Sequence, residues 1–303
     1  MKNTGVAGFL NVRKPRKMTS SDVVEAVRAA LQANAGHAGT LDPGAEGVLV
    51  LGVGAARKLI PYLRGDKEYE AVMRLGQESD TLDLDGTLTA PRPVTNEPGA
   101  IRTCGESLIG EPVLPVPHYS AVHVGGRRLH EMARAGEAVV APVRAMRVFD
   151  LNIIEIAVPQ VRFTVTCAAG TYVRSLVAEW GRLLGCGALL ERLVRTRSGS
   201  LTLEDSVDLA SLAHLAQAGG TASVLVPSAV ALGHLPEIRC NEAEAARLNN
   251  GQPLPAPEGV APGFVRLIRA TGGLFGIGRV EPAADGPPVL RPERMLPPGE
   301  LVP

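Results

Sequence analysis

Aromatic side chains are scarce in this chain, whose 303 residues hold one tryptophan, four tyrosines and five phenylalanines. A tyrosine at the edge of an element therefore stands out. Cysteine is scarcer still: Cys104, Cys167, Cys186 and Cys240 are widely scattered and form no CxxC pair. That excludes a zinc-ligand cluster and a disulfide framework, and leaves the thiols as small core residues. No uncharged apolar run reaches membrane-spanning length. The start, Met1-Lys2-Asn3-Thr4-Gly5, lacks the apolar stretch of a secretory signal, so the expected location is the cytoplasm. There is no nucleophile-elbow signature and no cofactor-binding motif. Net charge is absent as well, with 31 Lys/Arg against 31 Asp/Glu.

The balance of charge hides a pattern. Residues 1–64 carry nine basic and four acidic side chains, and 65–119 carry four and ten. Residues 120–200 carry eleven and six, and 201–303 carry seven and eleven. Two basic segments brought side by side would give a neutral molecule one positive face, which is what a phosphate backbone requires.

Residues 36–47, Gly-His-Ala-Gly-Thr-Leu-Asp-Pro-Gly-Ala-Glu-Gly, form the most shaped stretch of the chain. Gly36, Gly39, Gly44 and Gly47 permit positive φ or close backbone approach, and Pro43 fixes the chain directly after Asp42. An amphipathic helix is expected before this loop, with N-cap candidates Ser20, Ser21 and Asp22 and an apolar stripe of Val23, Val24, Val27, Ala30 and Leu31. It ends near Asn34. The run Val48-Leu49-Val50-Leu51 after the loop reads as a strand buried on both faces. An aspartate is thus mounted between rigid elements.

Gly8 to Val12 is strand-like and leads into a basic turn, Arg13-Lys14-Pro15-Arg16-Lys17, that either meets phosphate or lies exposed. Ala55 to Leu63 reads as a short helix. Lys67 to Leu75 alternates with period two, placing Tyr69, Ala71, Met73 and Leu75 on one face. The acidic segment Gln77 to Gly86 resembles a calcium loop only superficially, lacking the glycine at the sixth position and the terminal glutamate. A helical piece follows at about Gly99 to Ile109. The Gly125-Gly126-Arg127-Arg128 tip, before helical Leu129 to Ala135, reads either as a mobile loop over a polyanion or as a solvated arginine pair.

Met146 to Ile156 and Val161 to Cys167 read as strands. The second runs through Gly170-Thr171 into a helix ending at Leu184, with Tyr172 and Arg174 in its first turn. An arginine there opposes the helix dipole and calls for an anionic partner. Leu193 to Arg197 alternates in a further strand whose arginines share a face, and a helix is expected from Leu203 to Leu215. Beyond Leu235 come a short helix, Asn241 to Leu248, and strands at Phe264 to Arg269, Leu274 to Val280 and Val289 to Met295.

Gly36-His37-Ala38-Gly39-Thr40-Leu41-Asp42-Pro43, closed by Gly47, resembles the catalytic motif of the bacterial tRNA pseudouridine-55 synthases of the TruB type. Other stretches match in the family's order: Lys14-Pro15 with Thr19-Ser20-Ser21 before the loop, and after it Asp66-Lys67-Glu68-Tyr69, Arg74-Leu75-Gly76, Thr81-Leu82-Asp83 through Gly86, Tyr119-Ser120-Ala121, Gly170-Thr171-Tyr172-Val173-Arg174 and Gly185-Cys186-Gly187-Ala188. The resemblance covers residues 8 to about 200, and less specifically the end of the chain.

The resemblance implies an α+β fold, a mixed and largely antiparallel sheet flanked by helices, over a catalytic domain of residues 1–233. Residues 234–303 are then a small β-rich, PUA-like RNA-binding domain. The implied reaction converts a uridine of the tRNA T-loop, position 55, to pseudouridine: the C1′–N1 bond breaks, the base turns, and C1′ joins C5. This redox-neutral isomerisation needs no cofactor and no metal. The implied partner is the tRNA T-stem-loop, the protein acting as a monomer without a membrane.

Catalysis by the same resemblance falls to Asp42 as nucleophile, Tyr69 stacked on the base and implicated in removing the C5 proton, and Arg174 as the cation beside Asp42. Tyr172 and Leu193 line the uracil pocket, and His37 meets the T-loop as the nucleotide flips out. Whether Asp42 adds to the base or attacks the sugar stays open. The chain departs from the family at Leu114, Val116, His123 and His130, all in the segment expected to grip RNA. A non-catalytic RNA-binding or tRNA-folding protein is the competing reading, in which Asp42 would be dispensable.

Overall fold

A computed structural model of the chain describes residues 7–94, 97–120, 122–137, 139–283 and 286–296. The N-terminal six residues, Ala121 and the side chain of His130 lie outside the described residues. Contacts divide the chain into two compact units: Met1–Pro43 with Gly47–Arg64 and Ser198–Pro303, and Gly44–Glu46 with Gly65–Arg197.

In the first unit the strand Gly8–Lys14 pairs antiparallel with Leu225–Val226 on one side and with Glu46–Val53 on the other. Ala35–His37 adds to the latter strand. The helix before the loop runs Ser20–Leu31 and buries Val23, Val24, Val27 and Leu31. Its cap is Thr19 rather than the residues after it. Thr19 Oγ1 accepts from Asp22 N at 3.1 Å while Asp22 accepts from Thr19 N at 2.8 Å, a reciprocal box that starts the helix one residue earlier. The helix stops short of Asn34 because Gln32 turns left-handed, with φ 48°.

Two other expected helices are altered. Gly54–Tyr62 winds as a tight 3-10 helix containing Pro61, which removes an N–H from the α pattern. The helix expected from Leu203 begins only at Leu209, because Asp208 caps it by accepting from Ser211 N at 2.8 Å. Ser206 meanwhile closes a turn onto the Leu203 carbonyl.

The C-terminal part is a five-stranded sheet in the order Glu237–Cys240, Gly263–Arg269, Leu274–Glu281, Val289–Met295, Leu254–Pro255. Only the first pair is parallel. One face packs Val265, Leu267, Phe275, Val280 and Leu290 into a cluster of its own with Leu248. Ile268, Leu274 and Ile277 instead join Phe9, Val50, Ala56, Leu59 and Tyr62 in a shared core.

The second unit is built on neighbouring strands Ala188–Ser198, Lys67–Leu75, Gln160–Cys167 and Val148–Ala157, in that order. The last three pair antiparallel. Helices Pro98–Glu106 and Val173–Leu183 flank this sheet. Trp180 locks them together: it is fully buried, its Nε1 donates to Ile101 O at 2.9 Å, and its ring meets Phe163 edge-on at 5.3 Å. Gly105 is obligatory beneath it, since a Cβ there would lie 2.3 Å from the indole.

The strand pair Val113–Pro115 with Val143–Ala145, and the hairpin His123–Val124 with Arg127–Arg128, form two small two-stranded sheets in this unit. Gly125 and Gly126, at φ +58° and +85°, make the second turn. At the Gly-Gly-Arg-Arg tip Arg127 pairs with Glu137 at the surface, through two bonds of 3.0 and 2.9 Å. Of the departures from the family pattern, Leu114 and Val116 are buried, so they alter packing rather than the surface, whereas His123 is exposed. Cys167, Cys186 and Cys240 are buried thiols, and Cys104 is half-buried.

Candidate active site

Asp42 sits half-buried between Ala35–His37 and Glu46–Val53, and both of its neighbours are pinned. Leu41 is held by the buried Ser20, whose Oγ accepts from Leu41 N at 2.9 Å and donates to Leu41 O at 3.0 Å. Pro43 O accepts from Lys17 N at 2.8 Å and from Lys14 Nζ at 3.4 Å. Lys14 has 0% of its surface exposed and also donates to Pro15 O and Met18 O, at 2.9 and 2.6 Å.

The basic turn is thereby partly absorbed into the fold. Lys14 works inward, and Arg13 bonds Ser206 Oγ and Leu203 O at 3.4 Å. Sequence reasoning missed Lys14 and Ser20 as props of the loop; the signal was their place in the Lys14-Pro15 and Thr19-Ser20-Ser21 matches. Among the loop glycines only Gly39 and Gly47 take positive φ, at 151° and 108°. Gly44 serves by close approach instead, since a Cβ there would stand 3.0 Å from Asp85 Oδ2. His37 is half-buried at the end of its strand, in register with Leu51.

Tyr69, Tyr172, Arg174 and Leu193 all belong to the second unit, whereas His37 and Asp42 belong to the first. Tyr69 is buried on the same face of Lys67–Leu75 as Ala71, Met73 and Leu75, opposite Val165 of the next strand. Leu193 is buried on Ala188–Ser198. Tyr172 is the N-cap residue of Val173–Leu183, and its ring packs on Val116, Val122 and Leu129 of the hairpin insert.

Arg174, only 4% exposed, donates from Nη1 to Thr81 O at 3.0 Å and from Nη2 to Tyr119 O at 3.1 Å. Within its unit its carboxylate partner is Asp83, 3.7 Å away. The other Asp83 oxygen is held by Thr81 Oγ1 at 2.5 Å and Asp85 N at 3.1 Å. Burial raises the Asp83 pKa, outweighing the Thr81 hydroxyl and the Arg174 charge that favour ionisation. The dipole argument called for such an anion. Asp83 itself escaped notice, although Thr81-Leu82-Asp83 was among the matched stretches.

The acidic segment is a tight loop: Asp80 Oδ1 accepts from Thr87 N at 2.8 Å, and Ser79 Oγ donates to Asp83 O at 2.6 Å. Among the described residues no group of three or more His, Cys, Asp or Glu is placed to hold a metal ion. Nor is any described helix long and apolar enough to cross a membrane.

Comparison with known proteins places these residues in context. Residues 28–173 match the model of the TruB family pseudouridylate synthase N-terminal domain. Residues 236–296 match that of the pseudouridine synthase II TruB C-terminal region. The chain is 40% identical over 296 residues to tRNA pseudouridine synthase B of Synechocystis sp., covering 95% of this chain and 99% of that one. It is 40% identical over 293 residues to tRNA pseudouridine synthase B of Aromatoleum aromaticum, covering 96% and 93%. A crystal structure of a Cbf5–Nop10–Gar1 complex contains a chain of the same fold, with TM-score 0.75 and 26% identity over 98% of this chain and 87% of that one.

Proposed function

The chain belongs to the TruB family of pseudouridylate synthases and is an isomerase that turns a uridine of tRNA into pseudouridine; from that premise we propose that its target is the T-loop uridine at position 55 and that Asp42 is the nucleophile. The observation that supports the assignment is the pinning of Leu41 and Pro43 on either side of Asp42, by the buried Ser20 hydroxyl on one side and by Lys14 Nζ and Lys17 N on the other. A loop held this firmly on both sides presents one side chain in a fixed direction, which is what covalent attack on a single carbon demands.

The balance of bonds limits what the remaining groups must do. The C1′–N1 bond breaks, C1′–C5 forms, and the C5 proton is lost while N1 gains one, so the product is an isomer. Tyr69 offers a flat ring for the base and a phenol oxygen for the C5 proton. Arg174 supplies a fixed positive charge to the carboxylate, and the Thr81 and Tyr119 carbonyls together with Asp83 hold its fork rigid. Tyr172 and Leu193 complete the uracil pocket, and His37 meets the T-loop around the flipped nucleotide. Residues 234–303 serve as a PUA-like RNA-binding domain beside a catalytic domain of residues 1–233. The protein works in the cytoplasm as a monomer.

Mapping pseudouridine in an unmodified tRNA transcript after incubation with protein alone tests the site of reaction. Product at position 55 with the natural chain, and none with Asp42→Asn despite retained tRNA binding, is the expected result. Substantial product from Asp42→Asn would remove the aspartate from its role.

A further inference from the structure

Ser175 is a buried polar side chain of the second unit with no part in the chemistry above. It is 4% exposed, and its hydroxyl donates to Pro115 O at 2.7 Å, 60 residues away in the chain. A serine near the start of a helix commonly serves backbone groups of that helix; this one reaches outward. Its neighbours do the same. Arg174 donates from Nη2 to Tyr119 O at 3.1 Å, and the ring of Tyr172, the N-cap residue, packs on Val116, Val122 and Leu129. Helical side chains lean toward the N-terminus of their helix, so those of the first turn extend past its end. Tyr172, Arg174 and Ser175 thus hold one segment of chain, residues 115–129.

That segment is closed at its root. Val113–Pro115 pairs with Val143–Ala145, and Val116 N donates to Pro142 O at 2.9 Å. Beyond the root the chain carries the exposed His123, Arg127 and Arg128 before it returns. Ser175 grips the segment at Pro115, where it leaves the strand pair.

The consequence falls on Arg174. A guanidinium is a rigid plane, so two fixed ends determine its direction. Nη1 is set by Thr81 O at 3.0 Å and by Asp83 at 3.7 Å. Nη2 takes an acceptor from the segment that Ser175 anchors. A shift of the chain at Pro115 is carried along to Tyr119 and swings that end of the fork.

We propose that Ser175 is a positioning residue of the isomerisation: by holding the segment at Pro115 it keeps the Tyr119 carbonyl where it fixes the aim of Arg174. The segment expected to grip RNA and the cation of the reaction are then set by one hydroxyl. This role rests on the tRNA reading above.

The test compares Ser175→Ala with Ser175→Thr, which keeps the hydroxyl, on an unmodified tRNA transcript. The single-turnover rate at saturating protein reads the reaction on bound RNA, filter binding reads affinity, and Tm reads folding. Ser175→Ala should slow the single-turnover rate roughly 3- to 10-fold, the net worth of one hydrogen bond, with tRNA affinity altered by less than about twofold. Ser175→Thr should restore most of the rate. Leu129→Ala loosens the segment against Tyr172 without touching Ser175 and should show the same split, which keeps the test readable if Ser175→Ala does not fold. An unchanged rate, a loss confined to affinity or Tm, or a Ser175→Thr as slow as Ser175→Ala overturns the role. If the natural chain forms no pseudouridine at position 55 of the transcript, the T-loop reading fails and the role with it; an active natural chain with unaffected variants sinks the role alone.

Discussion

Lys14 donates from Nζ to the carbonyl of Pro43, 29 residues further along the chain, with none of its own surface exposed. A buried ammonium serving three carbonyls is an expensive prop, and it stands directly behind the residue that follows Asp42.

Replacing Lys14 by methionine fills the same volume but leaves those carbonyls short of a donor. The expected cost is about 1–3 kcal/mol of stability, and a fall in kcat larger than the rise in KM, because the loop loses its aim before the protein loses its RNA-binding surface. Denaturant unfolding and steady-state kinetics on a tRNA transcript measure both. An unchanged kcat in a destabilised protein would limit Lys14 to folding.

Asp83→Asn keeps the shape beside Arg174 and removes the charge. Turnover should drop by at least tenfold, about 1.4 kcal/mol, with tRNA affinity altered little. The raised pKa of Asp83 adds a pH signature: its charged form is lost at a higher pH than an ordinary aspartate's as the solution is acidified. The acidic limb of the rate profile should therefore change in Asp83→Asn, and an identical profile would detach Asp83 from catalysis.

Lys67 binds its proton less tightly in the folded protein than in the unfolded chain, with values of about 8 and 10.5. Between those values the unfolded state holds more protons, so stability should rise as pH increases from 8 to 10.5, by on the order of 2 kcal/mol after allowance for partial exposure. Lys67→Met should abolish this rise and be the more stable protein at pH 7. Unfolding curves across that range decide the point.

Gly105→Ala places a methyl group within the indole of Trp180. Since Trp180 joins the two helices of the second unit, overpacking there should cost about 1–3 kcal/mol, seen as a lower Tm. A neutral substitution would mean that the helices shift freely around the ring.

Much of this could be read in the residues. Period-two alternation placed Tyr69, Ala71, Met73 and Leu75 on one buried face, and the uninterrupted apolar run after the loop became a strand buried along nearly all its length. The elements whose boundaries moved were set by single side chains acting locally: Thr19 and Asp208 as caps, Gln32 in a left-handed turn. What could not be read was direction. Nothing in Arg13-Lys14-Pro15-Arg16-Lys17 says that one lysine turns inward and becomes a brace, nor does an acidic stretch announce which aspartate will meet Arg174. Those choices depend on partners far along the chain, and only folding brings them into range.

The core shared by Phe9, Leu59 and Tyr62 with Ile268, Leu274 and Ile277 ties the fate of the C-terminal sheet to that of the loop-bearing layer. A chain cut near residue 233 would keep Asp42 and its props, yet bare an oily strip along the layer on which they stand. Exchanging this sheet for a relative's would demand matched changes at Phe9 and Leu59. Loss or mismatch of that sheet therefore leaves the layer under the loop with apolar surface it cannot cover by itself.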